Sequence, residues 1–417
     1  MKNLKIFTEN IEQEALDQIN TLMEQPAFSD CKVRIMPDVH AGAGCVIGFT
    51  ADLGDKVIPN IVGVDIGCGM LTIELAHKVG EDEFGDLLEG VEEVDYDELD
   101  RVIRTRVPSG FNIHEPSSIY RSKNKFEVLQ ELRCYRELKD TKRFQRSIGT
   151  LGGGNHFIEI DEGAGGRKYL VIHTGSRNLG KQVADYYQKL AVELMQGKDE
   201  LLAKQEQLIA DYKAQGRRNE IEAAIKELRR TYRPKNIDIP KDLCYLTGKY
   251  RDDYLHDMKI CQEFAKLNRR TIADAIMSGM YWYGLDMFET IHNYIEFDTN
   301  MVRKGAISAK KGEKLLIPIN MRDGCIVGVG KGNDDWNQSA PHGAGRIMSR
   351  HKAREVVSMD EFRQAMDGIF TTSVSLETID EAPMVYKTMD EIVENIKDTV
   401  DILEIIKPVY NFKASGD

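Results

Sequence analysis

Apolar residues recur at helical spacing near the start of the chain. Ile11, Ala15, Ile19 and Leu22 share one face until Pro26 interrupts it, which predicts an amphipathic surface helix. Asn10 with Gln13 reads as its capping box. From Val33 to Gly69 the pattern changes to short β-branched runs split by glycines, KVRIMPDVHAGAGCVIGF and KVIPNIVGVDIGCGM, the texture of strands that end in loops. It returns over 147–182 (SIGTLGGGNHFIEI, KYLVIHTGSRNLGKQ) and over 315–350 (LLIPINMRDGCIVGVG, SAPHGAGRIMSR).

Between the second and third of these blocks the pattern is helical and its middle is charged. Leu201, Leu208, Ile209 and Tyr212 fall on one face, Gly216 interrupts, and Asn219 with Glu222 reads as the cap of a second helix carrying Ile221, Ile225 and Leu228. Residues 196–235 therefore read as an inserted helical hairpin, too polar to be buried all round. No repeat or low-complexity linker divides the chain. The expectation is an α+β fold, one large domain over 1–417 of mixed β-sheets flanked by helices, in which the three glycine-rich blocks converge.

Composition narrows the class. A hydrophobic fraction of 41% and a charged fraction of 30% are those of a globular protein, and no window approaches the roughly 18–20 apolar residues of a membrane span. No apolar run precedes the first helix, so no secretory leader is expected and the reading is cytoplasmic. Seven cysteines, an odd number without a CxxC pair, fit reduced thiols better than a disulfide framework. The net charge of -12 argues against coating nucleic acid by bulk electrostatics. Residues 121–146 nevertheless hold nine Lys/Arg against four Asp/Glu, either a solvated helix face or a phosphate-binding patch.

Six residues in or near the glycine-rich loops are candidate metal ligands or nucleophiles: Asp65, Cys68, His156, His173, His292 and His342. Each alone is a weak signal, since a lone histidine is more often structural. Four of the histidines, however, share Gly or Asn neighbours, in GGGNHF, VIHTGSR, TIHNYIE and PHGAGR. Glycines let the backbone turn with positive φ and let a metal or anion approach. A carboxylate, a thiolate and several imidazoles suit Zn, Co, Fe or Mn, and a thiolate can bridge two ions. In HGAGR the small residues Gly343, Ala344 and Gly345 leave room for a nucleotide, while Arg346 and Arg350 are suited to phosphate. An imidazole at His342 could act as a covalent nucleophile toward an α-phosphate.

In this order MPDVHAGAGCVIG, VGVDIGCGM, GTLGGGNHFIE, HTGSRNLG, IHN, RKGA and HGAGRIMSR resemble the RtcB family of RNA ligases, from about Arg34 to Lys413 and apart from the hairpin. The resemblance implies an enzyme that joins RNA ends bearing a 2′,3′-cyclic phosphate or 3′-phosphate to a 5′-hydroxyl, in RNA repair or tRNA splicing, with GTP and two Mn(II) ions and sometimes a helper protein. It implies that Asp65, Cys68 and His156 hold one ion, that Cys68, His173 and His292 hold the other, and that His342 becomes guanylylated. By the same carry-over Asn155, Phe157, Glu159 and Lys413 line the nucleotide site, and Arg143, Arg177 and Arg350 meet RNA or phosphate.

One segment departs from the family pattern. Where many members read IPGSMGxxS, this chain reads IPINMRDGC, putting Asn320 and Cys325 in the place of two serines that border the nucleotide. Pro341 also restricts Ala340 before the histidine. The rival expectation is a metal-dependent RNA end-processing phosphodiesterase that opens cyclic phosphates without joining.

Overall fold

A computed structural model describes residues 3–82, 85–116 and 126–414. In chain order the elements used below are β1 (Leu4–Ile6), α1 (Gln13–Met23), β2 (Val33–His40), β3 (Ile47–Asp52), β4 (Gly69–Asp82), α2 (Tyr96–Arg106), β5 (Phe157–Glu162) and β6 (Lys168–Thr174). They continue with α3 (Arg177–Met195), α4 (Lys198–Ala214), α5 (Ile221–Thr231), α6 (Gly248–Met280), β7 (Tyr283–Ile291), β8 (Asn293–Ile295), β9 (Met301–Lys304), β10 (Lys314–Asn320), β11 (Gly324–Gly330) and β12 (Val400–Lys413). The fold is α+β, as expected.

Two sheets organise it. The smaller has the order β1-β2-β3-β9-β8, and the larger runs β7-β4-β6-β5-β12-β11-β10, antiparallel along that path. The larger sheet curls until its two ends meet, where the Leu316 amide donates to Thr290 Oγ1 at 3.1 Å and Lys314 pairs with Asp286 at 2.5 Å. Side-chain alternation divides its two faces. Leu71, Ile73, Ile158, Ile160, Leu170 and Ile172 pack outward against α2 and α6. Met70, Phe157, Val171, Leu316, Cys325 and Ile406 fill the inside of the curl.

The hairpin is present as α4 and α5, tied together where Arg229 donates to Gln205 at 3.0 Å and closed at its base where the Tyr232 hydroxyl donates to the Gly197 carbonyl at 2.7 Å. Neither expected capping box forms. Asn10 donates to the Glu391 carboxylate instead, and α1 starts after Glu12 with no side-chain cap. The residue before α5 is Glu220, whose carboxylate pairs with Arg217. Of the basic segment, Arg121, Lys123 and Lys125 lie outside the described residues. No helix among the described residues is long and apolar enough to cross a membrane.

The long helix α6 carries the polar pair that positions the loops. Asn268 is fully buried: its Oδ1 accepts from the Gly149 and Thr150 amides at 2.7 and 3.0 Å, and its Nδ2 donates to the Thr150 and Gly175 carbonyls at 3.1 and 3.2 Å. Arg269, 1% exposed, donates to the Gly67 and Thr174 carbonyls at 2.9 and 3.0 Å and pairs with Glu289. Loops from the first two glycine-rich blocks are thus fastened to one helix. Asn268→Leu leaves the buried Gly149 and Thr150 amides without an acceptor, and is expected to cost about 2–5 kcal/mol in urea unfolding; a loss below about 1 kcal/mol would show that these ties carry little.

Candidate metal and nucleotide site

The candidate ligands sit at one end of four adjacent strands of the large sheet. Cys68 precedes β4, His156 precedes β5, His173 lies near the end of β6 and His292 follows β7. The register sets Met70 and Phe157 on either side of His173, and Ile291 beside Gly69. Asp65 and Cys68 share a tight turn, in which the Cys68 amide donates to the Asp65 carbonyl at 3.2 Å and Gly67 takes φ +73°. A side chain at Gly69 would put its Cβ 2.4 Å from the Thr290 carbonyl oxygen, so only glycine lets β7 approach this turn.

Two groups of donor atoms result, Asp65–Cys68–His156 and Cys68–His173–His292, each with its atoms within 4.8 Å of one another. Cys68 belongs to both. Its Sγ lies 3.5 Å from His156 Nε2 and 3.3 Å from His173 Nε2, and His173 Nε2 lies 3.1 Å from His292 Nε2. The far nitrogens fix the tautomers: His156 Nδ1 donates to the Leu151 carbonyl at 2.9 Å, and His173 Nδ1 donates to the Asn155 carbonyl at 3.2 Å. Their Nε2 atoms therefore face inward as bare lone pairs.

Burial, with the nearby cationic groups, holds His173 and His292 well below the usual imidazole range, so they are neutral and ready to coordinate. Burial and then the Asp65 charge push the Cys68 thiol well up. Lone pairs crowded this closely repel one another, and a cation among them turns that repulsion into coordination. The donor set therefore fits borderline divalent ions, in two adjoining positions that share the sulfur.

His342 stands beside these groups, its ring centroid 4.7 Å from that of His292. The carboxylate of Asp38, fully buried on β2, accepts from His342 Nδ1 at 2.5 Å and from the His342 amide at 3.0 Å. Its backbone carbonyl also accepts from His40 Nδ1 at 2.9 Å. Sequence reasoning missed Asp38, because an acid in the apolar run VRIMPDV carries no ligand-like spacing. His40 lines the same cavity as His342.

That cavity measures about 630 Å³. Asn155, Phe157, Glu159, Asn320, Arg350 and Lys413 are on its wall, together with the whole run His342 to Arg346. Several polar side chains on the wall are already engaged. Asn320 caps the β10–β11 turn, donating to Asp323 and accepting from the Arg322 and Asp323 amides at 3.0 and 2.9 Å. Arg346, Arg350 and Lys413 converge on Glu381, at 3.4, 2.7 and 2.8 Å, and the cations outweigh burial to hold that carboxyl down at about 2. Cys325 is not on the wall; it lies deeper, on the inner face of β11. Arg143 and Arg177 lie apart, donating to the Phe111 carbonyl at 2.6 Å and the Gly110 carbonyl at 3.0 Å.

A family model described as "tRNA-splicing ligase RtcB" matches residues 18–414. The chain is 28% identical to an RNA-splicing ligase RtcB of Escherichia coli strain K12, with 99% of this chain and 97% of that protein aligned. It is 26% identical to a tRNA-splicing ligase RtcB of Archaeoglobus fulgidus, over 92% and 87% of the two chains. With an RNA-splicing ligase RtcB of Mycobacterium bovis the identity is 25%, over 86% and 91%.

Cobalt(II) is a spectroscopic probe of the donor set. The wild type is expected to take it up with a thiolate-to-metal absorption band and with release of protons, binding more tightly as pH rises because the Cys68 thiol must ionise. Cys68→Ala should lose the band and weaken both positions; a band of undiminished strength in the variant would refute a shared sulfur.

Proposed function

The chain belongs to the RtcB family, and from that premise we propose that it is an RNA ligase that joins a 2′,3′-cyclic phosphate or 3′-phosphate end to a 5′-hydroxyl end. GTP is the proposed co-substrate and His342 the residue that carries the nucleotide. The observation that carries this reading is His342 itself. Its Nδ1–H is committed to Asp38 while its ring borders both the thiol–imidazole cluster and a cavity of nucleotide size. Holding Nδ1 protonated leaves Nε2 with a free lone pair, and the Asp38 carboxylate stabilises the positive ring that forms as Nε2 attacks.

In this scheme a cyclic phosphate is first opened by water to a 3′-phosphate. His342 Nε2 then attacks the α-phosphorus of GTP, and pyrophosphate leaves. The nucleotidyl group passes to the RNA 3′-phosphate, creating the leaving group that a bare phosphate lacks. Attack by the 5′-hydroxyl then forms the phosphodiester and expels GMP. Asp65, Cys68, His156, His173 and His292 would hold two divalent ions, proposed as Mn(II), whose chemistry is to neutralise phosphate charge. Phe157 and Glu159 would line the nucleotide, and Lys413 would approach its base. Arg143 and Arg177, each on a helix and each donating to the loop at Gly110 and Phe111, would meet RNA.

Incubation with Mn(II) and α-labelled GTP, followed by denaturing electrophoresis, is the test. The wild type should carry label and His342→Ala none. Asp38→Asn should slow labelling by about 10²-fold or more, as expected for loss of the carboxylate that orients the nucleophilic imidazole and stabilises its positive charge. Absence of label under every divalent metal tried would sink the ligase reading in favour of a phosphodiesterase.

A further inference from the structure

Beneath the cavity floor the inner face of the curled sheet carries an acid that the scheme above does not use. Along β5, Ile158 and Ile160 face outward, so Phe157, Glu159 and Asp161 face inward. Phe157 and Glu159 line the cavity, whereas Asp161 lies one row further in and is fully buried. Tyr169 and Pro408 are its cross-strand neighbours, and the interior around it is the apolar cluster of Val171, Val327 and Ile406. Glu159, Asp161 and Cys325 hold one oxygen or sulfur each within 4.8 Å of one another.

The two carboxyls are not equally provided for. Glu159 accepts from Asn411 Nδ2 at 2.5 Å, and the Lys413 ammonium acts on it from the same strand. Neither oxygen of Asp161 has a hydrogen-bond partner among the described residues. Its neighbours are the Glu159 carboxylate and the Cys325 thiol, a weak donor. Two carboxylates this close in an apolar interior do not both ionise. The proton belongs on the one with no cation or amide beside it, and a neutral Asp161 has one O–H to give, with a Glu159 carboxylate oxygen within 4.8 Å. Burial pushes both groups up, and the charge on Glu159 adds to the rise at Asp161.

We propose that Asp161 is a positioning residue, a neutral acid that donates to Glu159 and keeps it the charged acceptor by which the cavity selects guanine over adenine. The proposal rests on the nucleotide reading of the cavity. An ionised carboxylate with one oxygen turned to the cavity accepts from the adjacent N1–H and amino group of guanine. Adenine turns the bare N1 acceptor toward it, and two acceptors repel.

The full chain is titrated with GMP and with AMP by calorimetry, without added metal, and its thermal midpoint is recorded. Asp161→Asn supplies an N–H where the acid supplied an O–H, so GMP affinity and the preference over AMP should stay within about twofold of wild type. Asp161→Val supplies no donor. GMP affinity should fall about tenfold and the preference shrink, while a midpoint within a few degrees of wild type shows that the variant still folds. Unchanged affinity and preference in Asp161→Val would overturn the proposal. So would loss of GMP binding in Asp161→Asn, which would mean that a charge or a bound cation at this position is what matters. A wild type that binds neither nucleotide would sink the nucleotide reading first and this proposal with it.

Discussion

The arrangement of the site depends on two neighbouring polar side chains inside α6. Asn268 and Arg269 make no contact with solvent to speak of; the Asn268 amide and one Arg269 amino group are spent on backbone at the site, and a second Arg269 amino group pairs with Glu289. Glycine-rich loops have much conformational freedom to lose, and a rigid helix that accepts and donates at fixed points removes it. The strands deliver the ligands to one end of the sheet; the helix decides how the turns that follow are held.

Such a site is assembled against its own electrostatics. Three imidazoles and a thiol are sealed together with their lone pairs inward, an arrangement that contributes nothing to stability without a cation. The cost is carried by the apolar packing on the outer face of the same strands, where isoleucine and leucine alternate with the functional positions. One strand thus serves two masters by its pleat: Ile158 and Ile160 hold β5 in place while Phe157 and Glu159 face the chemistry.

Much of this was legible in the sequence, and the reason is physical. The ligand loops announce themselves because close backbone approach demands glycine beside histidine or cysteine, and few other constraints produce that pairing three times over. The helical hairpin was visible from its charge and spacing. Residues whose partners are distant in sequence were not. Asp38 acts through His342, 304 positions away, and reads as an ordinary strand residue; nothing in the local pattern around Asn268 and Arg269 marks them as buried. Asn10 had the spacing of a cap but found Glu391 instead, a tertiary contact overriding a local preference. Asp161 is unmarked for a different reason, since nothing local shows which side of a strand is sealed.

The strand β12 joins these parts in a further way. It pairs with β5 on one side and β11 on the other, and it ends at Lys413 on the cavity wall. Every other described residue on that wall precedes it in the chain. As a ribosome releases the polypeptide from its N-terminus, the curled sheet stays open between β5 and β11 until this strand emerges. A partly made chain can gather its ligand loops on α6, but it has no closed chamber in which to hold a nucleotide. The order of synthesis therefore withholds the finished pocket until β12 has emerged and is free to pair.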